Sequence, residues 1–183
     1  VNTEFMIVEG GKERYNSVFN GLKAVEGRCE YVMIQDGVRP FVSYDTIQRA
    51  FDAANEYGAS VPAVPVKDTI KVVDENGFAE KTLDRNTLWA VQTPQTFKYD
   101  LIKEAYDNLP EGAEVTDDAS VAELNMNMVK IVMGDYENIK ITTADDLVSA
   151  KALAQREEYR ENTEKSEKSK SLEKMTKEAE AAS

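Results

Sequence analysis

The stretch YVMIQDGVRPFV, residues 31 to 42, ends an apolar run at Gln35 and then delivers Asp36, Gly37 and Arg39. Tyr31 to Ile34 read as a buried strand, so these groups sit at a strand tip. There Asp36 is a candidate to bind a divalent ion that bridges phosphates, or it caps a turn before Arg39 and Pro40. Gly37 allows close backbone approach to a ligand, or simply makes the turn. Arg39 can grip a phosphate with two parallel hydrogen bonds, or serve as an ordinary ion-pair partner. Four further groups join them. Gly10 and Gly11, followed by Arg14 and Ser17, resemble an anion cradle at a helix start. Arg85 stands at the foot of a hairpin. Thr93-Pro94-Gln95 breaks a strand, where proline costs a ladder hydrogen bond. Lys140 is read as lying in a strand after Asn138, and a lysine there needs a polar partner or solvent. Asp, Arg, Lys, Ser and Thr without a histidine base suit phosphoryl or nucleotidyl transfer, where positioning and charge neutralisation do most of the work.

Composition narrows the classes further. The chain has 183 residues, 42% of them apolar, enough for one domain with a core. It contains no histidine, which removes Ser-His-Asp and Cys-His catalysis and every His-based zinc site. Any metal must be held by oxygen, which favours magnesium. The net charge of -12 argues against a broad nucleic-acid surface. The one cysteine, Cys29, permits no intramolecular disulfide and reads as a small buried hydrophobe. No apolar run reaches about 18 residues, so a soluble protein without a membrane segment is expected. The first residue is Val1, not Met, which is expected of a processed chain or a piece of a longer one.

Elements that position these groups follow from the pattern. FMIV, residues 5 to 8, reads as a short buried strand. A helix follows the glycine pair, with Val18, Leu22 and Val25 at helical spacing. DTIQRAFDAANEYG is an amphipathic helix with Asp45 as N-cap and Gly58 as its stop. ASVPAVPV is a strand whose prolines predict an edge or a bulge. Two charged β-prone arms flank Asn76-Gly77, which predicts a projecting hairpin. LWAVQTPQTF is a strand running into a turn, and KYDLIKEAYDNL a helix. TDDASVAELNMN is a helix with Thr116 as N-cap and Asp117 and Asp118 in its first turn. MVKIVMG is a strand and TTADDLVSAKALAQ a helix. Alternating strands and helices predict an α/β domain with a mainly parallel sheet, and ligands in such sheets bind beyond the carboxyl ends of the strands. Residues 154–183 are expected to form a charged helical or disordered tail. From Lys151 onward eight cations balance eight anions.

GGKERYNSVFNGL, DGVRPFV, AVPVKDTIK, DRNTLWAVQTPQTF, TDDAS and GDYENIKITTADDL occur in one order over the body of the chain. This set resembles the 2-C-methyl-D-erythritol 4-phosphate cytidylyltransferase family. The resemblance implies a Rossmann-like α/β domain over 1–153, with helices on both faces of the sheet and a hairpin arm at 68–88. It implies transfer of CMP from CTP to methylerythritol phosphate with release of pyrophosphate, in isoprenoid precursor synthesis, with Mg2+ and in the cytoplasm. Gly11, Ser17, Asp36 and Gly37 match positions that contact CTP, with Asp36 nearest the metal. Arg39 and Thr93 match substrate contacts, and Arg85 and Lys140 match the pair that positions the substrate phosphate. Thr69 begins the arm, which in the family clasps a second subunit and makes a homodimer with shared sites. Gln35 stands where many relatives have His. The family's first strands, and its glycine-rich loop with an essential Arg and a Pro-Lys pair, have no match here. The chain alone is therefore expected to be inactive. Ribitol 5-phosphate cytidylyltransferase, which shares the DGVRPF-like and QTPQTF stretches, and a non-catalytic dimerising fragment are the alternatives.

Overall fold

The computed structural model describes residues 4–110 and 112–156. The expected tail thus lies almost wholly outside the described residues. The chain divides into two compact units, 1–138 and 139–183.

In the first unit the elements are α1 (Arg14–Ala24), β1 (Tyr31–Ile34), α2 (Tyr44–Tyr57), β2 (Ala59–Pro65), β3 (Lys71–Val73), β4 (Ala79–Thr82), β5 (Trp89–Val91), β6 (Gln95–Lys98), α3 (Tyr99–Asp107), α4 (Asp118–Leu124) and β7 (Lys130–Met133). β1, β2 and β7 run in one direction. β5 and β6 run against them, so the sheet is mixed: three of its five strands are parallel in direction, while β2·β7 is the parallel ladder. β6 and β5 lie along the same edge of β2, with β7 on the other, and the register of β5 is displaced by two residues from that of β6. They are one strand interrupted at residues 92 to 94.

β2 is the central, buried strand, not an edge. Its Pro62 stands opposite the interruption, which answers the sequence alternatives in favour of a bulge. Alternation along β2 sends Ala59 and Val61 into the cluster formed with Phe97, Ile102, Tyr106, Val121 and Ala122. Ser60 points the other way, and its hydroxyl donates to the Ala50 carbonyl of α2. Helices therefore cover both faces, α1, α3 and α4 on one and α2 on the other.

Three local expectations are corrected. FMIV is not a strand: Phe5 and Ile7 are 88% and 90% exposed. An apolar run forms a strand only beside a partner that accepts its hydrogen bonds, and no described strand lies alongside this one. The α2 cap is Ser43, whose oxygen accepts from the Thr46 N–H, and Asp45 sits in the first turn. The α4 cap is Asp117, whose carboxylate accepts from the Ser120 N–H at 2.9 Å, and Thr116 precedes it. Gly58 does end α2, at φ 89°. The hairpin holds: β3 and β4 form a separate two-stranded sheet with exposed arms, and Gly77 takes φ 84° in its turn.

In the second unit residues 144–156 are helical. The Asp146 carboxylate accepts from the N–H groups of Thr142 and Thr143 at 2.9 and 2.8 Å, and its own N–H donates to Thr143 Oγ1. These bonds hold the Asp146 pKa at about 2, below its ordinary 3.8. A depressed carboxylate stabilises the helix start fully above about pH 4 and loses that effect as pH falls through about 2. A carboxyl 13C titration of Asp146 should show its midpoint near 2, with the Thr142 and Thr143 amide signals moving together with it. A midpoint near 4 would refute the cap.

Candidate active site

β1 ends at Ile34, and the chain turns at once. The Arg39 N–H donates to the Asp36 carbonyl at 3.0 Å, and Gln35 Nε2 donates to the Arg39 carbonyl at 2.9 Å. The main chain of Asp36 thus closes the turn. Gln35 is one of the turn's fasteners. No atom lies within 4 Å of where a Cβ on Gly37 would be, so the loop is open there.

The interruption between β5 and β6 faces this turn. Thr93 Oγ1 accepts from the Asp36 N–H at 3.1 Å, and the Thr93–Pro94 peptide is cis. Buried side chains fill the gap in the ladder. Gln92 Nε2 donates to the Asp135 carbonyl at 2.7 Å and Asn138 Nδ2 to the Thr93 carbonyl at 2.8 Å. Gln95 Nε2 donates to Asp117 at 2.8 Å, while its Oε1 accepts from the Ala119 N–H at 2.8 Å. Asn138 thereby serves a main-chain group, the Thr93 carbonyl, that a continuous ladder would have used.

Arg39 Nη1 donates to the Asn138 carbonyl at 2.7 Å. Its Nε is buried without a hydrogen-bond partner, with Asp36 Oδ2 at 3.6 Å. Burial lowers the Arg39 pKa and Asp36 opposes that shift. A second arginine approaches from α1. Arg14 Nε donates to Asp36 Oδ1 at 3.4 Å, and its Nη1 and Nη2 donate to the two oxygens of Asp118 at 3.1 and 2.7 Å. Burial works against the Arg14 charge, but the hydrogen bonds and charge of Asp118, joined by Asp36, raise its pKa overall. Burial and then Asp118 push the Tyr106 phenol upward.

The structure therefore brings Asp36, Arg39 and Thr93 together, beyond the carboxyl end of β1. Gly11 and Ser17 meet at the start of α1, where Ser17 Oγ accepts from the Gly11 N–H at 2.9 Å. A Cβ on Gly11 would lie 2.2 Å from that of Asn16, so no side chain fits there. Thr69 is exposed beside the hairpin. Arg85 opens a short 3-10 turn (Arg85–Thr87), and its Nη1 donates to the Lys67 carbonyl at 2.6 Å. Lys140 belongs to the second unit and lies exposed in an irregular segment, not in a strand: β7 ends at Met133 and a turn follows. Asp118, Tyr106 and Gln92 were not singled out as site residues from sequence. Asp118 did carry a signal, since it shares a helix face with Val121 and Ala122, and a carboxylate on an apolar face needs a buried partner.

Comparison with known proteins follows this geometry closely. The 2-C-methyl-D-erythritol 4-phosphate cytidylyltransferase family matches residues 1–156. The protein of that name from Alkaliphilus oremlandii is 51% identical over 148 residues, covering 80% of this chain and 63% of its own length. That from Caldanaerobacter subterraneus is 51% identical over 150 residues, covering 81% and 66%. The chain thus spans a little under two thirds of these relatives. Among solved structures, the 4-diphosphocytidyl-2C-methyl-D-erythritol synthase of Anaerococcus prevotii superposes with a TM-score of 0.74 at 38% identity, over 80% of this chain and 66% of that one. The 2-C-methyl-D-erythritol 4-phosphate cytidylyltransferase of Thermus thermophilus gives 0.73 at 36% identity, over 80% and 71%. An α/β fold carrying the Asp36–Arg39 turn at a strand end, matched by a family over nearly all the described residues, places the chain by both sequence and structure: it belongs to the 2-C-methyl-D-erythritol 4-phosphate cytidylyltransferase family.

Proposed function

We propose that this chain carries part of the machinery that transfers CMP from CTP to 2-C-methyl-D-erythritol 4-phosphate. The observation that supports this reading best is the convergence of Asp36, Arg39 and Thr93 at the strand ends of a chain of this family. In the proposed reaction an oxygen of the sugar phosphate forms a bond to the α-phosphorus of CTP. The bond from that phosphorus to the bridging oxygen of the β-phosphate breaks, and pyrophosphate leaves with the electron pair. A phosphate monoester is largely dianionic near neutral pH, so the nucleophile needs no general base, in keeping with a chain that has no histidine.

Arg39 supplies fixed positive charge beside Asp36. Gly11, Ser17 and Gly37 leave main chain close to the nucleotide, and Thr93 orients the sugar phosphate. Arg85 and Lys140 hold that phosphate in line. Asp36 offers one carboxylate, and among the described residues no group of three or more His, Cys, Asp or Glu side chains is placed to hold an ion. Asp36 would be the residue to hold Mg2+, together with the substrate's phosphates. When bound, Mg2+ would neutralise charge on the triphosphate. The domain is taken as 1–153, with the 68–88 arm joining two copies so that Thr69 and Arg85 reach the neighbour's site, in a cytoplasmic homodimer.

The test uses protein of the full family length. It should release pyrophosphate from CTP only with methylerythritol phosphate and a divalent metal. Ribitol 5-phosphate, run alongside, should give none, and preference for it would replace this reading. Arg85→Ala and Lys140→Ala should each slow turnover at least about tenfold, from loss of a charge-assisted contact of roughly 1.5–3 kcal/mol. Unchanged kinetics in both would reject the assignment of these two residues.

A further inference from the structure

Asp118 is a carboxylate with no solvent exposure, at the first residue of α4. Three hydrogen bonds from two side chains satisfy it. Tyr106 Oη donates to Oδ1 at 2.6 Å, and Arg14 donates to both oxygens. Tyr106 is itself fixed, since its ring stacks on Phe19 of α1 at 5.7 Å. A buried carboxylate without its cation is strongly disfavoured, so Arg14 is held to Asp118. Two parallel N–H···O bonds also fix the plane of the guanidinium. With that plane fixed, the direction of Nε is fixed as well, and Nε points at Asp36 Oδ1.

We propose that Arg14 is a positioning residue: clamped by the buried Asp118–Tyr106 pair, it sets the orientation of the Asp36 carboxylate. The role of Asp36 rests on the function proposed above, but the positioning does not. Through Arg14, Asp118 acts on the ligand turn from 82 residues away in sequence. Lysine cannot replace Arg14, because one ammonium lacks the fork that serves two carboxylates.

The first arm of the test needs no activity. In the 183-residue chain at neutral pH, the Asp36 carboxyl 13C signal should move in both Arg14→Lys and Asp118→Asn. The displacement should exceed that of the Asp107 carboxyl signal, the internal control, which pairs with Lys103 at 2.6 Å. If Asp118→Asn fails to fold, Tyr106→Phe takes its place. An Asp36 signal that stays put in folded variants overturns the proposal. The second arm uses full-family-length protein and compares Asp36→Asn, Asp118→Asn and the double variant. If Asp118 acts through Asp36, the double variant turns over within about twofold of Asp36→Asn alone, whereas independent effects would multiply. Multiplying effects overturn the proposal. Absence of turnover in the unsubstituted protein would remove the functional reading and leave the spectroscopic arm to decide the positioning.

Discussion

Replacing Arg39 with alanine is expected to lower kcat/KM of full-family-length protein roughly 10- to 150-fold, equivalent to about 1.5–3 kcal/mol of lost charge-assisted contact. Two things are lost at once. One of the two cations beside Asp36 disappears, leaving Arg14, and the Asn138 carbonyl loses the donor that reaches it at 2.7 Å. Arg39 is mostly buried, at 12% side-chain exposure, so solvent does not readily substitute for it. Arg39→Lys should recover only part of the rate, because a single ammonium cannot span the Asn138 carbonyl and the Asp36 carboxylate as a planar guanidinium does. Pyrophosphate release at several substrate concentrations reads the effect. An alanine variant within twofold of the unsubstituted enzyme would mean that Arg39 only holds the turn together.

Phe97→Ala should destabilise the chain by about 3–5 kcal/mol in urea unfolding. Phe97 is wholly buried, and its backbone lies between Val32 of β1 and Ala59 of β2. Its ring belongs to the core cluster with Ile102 and Tyr106 of α3 and Val121 and Ala122 of α4. Phe78→Ala at the hairpin turn, where the ring is largely exposed, provides the comparison and should change stability by no more than about 0.5 kcal/mol. A loss below about 1 kcal/mol at Phe97 would show that the helices collapse into the vacated volume.

Residues near in sequence and bound by short-range rules were legible before any coordinates. The Asn76-Gly77 hairpin, the Gly58 stop and the strand break at Thr93-Pro94 each rest on backbone chemistry confined to a few positions. So does the placing of Asp36 and Arg39 at a strand tip. What escaped depends on partners far along the chain. FMIV has the composition of a strand, but composition does not supply a neighbour. The prolines of β2 left an edge and a bulge open, because the matching interruption that decides for the bulge lies about thirty positions later. Lys140 was read into a strand because the apolar pattern near it continues after the β7 ladder has ended. Arg14 and Asp118 are 104 residues apart, and no local periodicity joins them.

The break between β5 and β6 has a counterpart in β2 that bears on which sequences this fold tolerates. The Gln92 N–H donates to the Pro62 carbonyl at 2.8 Å, yet Pro62 has no N–H to return. The Gln92 carbonyl is approached instead by Gln95 Nε2, at 3.5 Å. Pro62 therefore withholds the donor that would complete its pair with Gln92, where the interruption begins. Any other residue there would offer an N–H that competes with Gln95 Nε2 for the Gln92 carbonyl, one residue before Thr93. Position 62 carries no polar side chain and lies outside the site, but substitutions there are constrained together with those at 92 to 95. In a collection of variants selected for activity, changes at these positions should be found in combination and seldom singly.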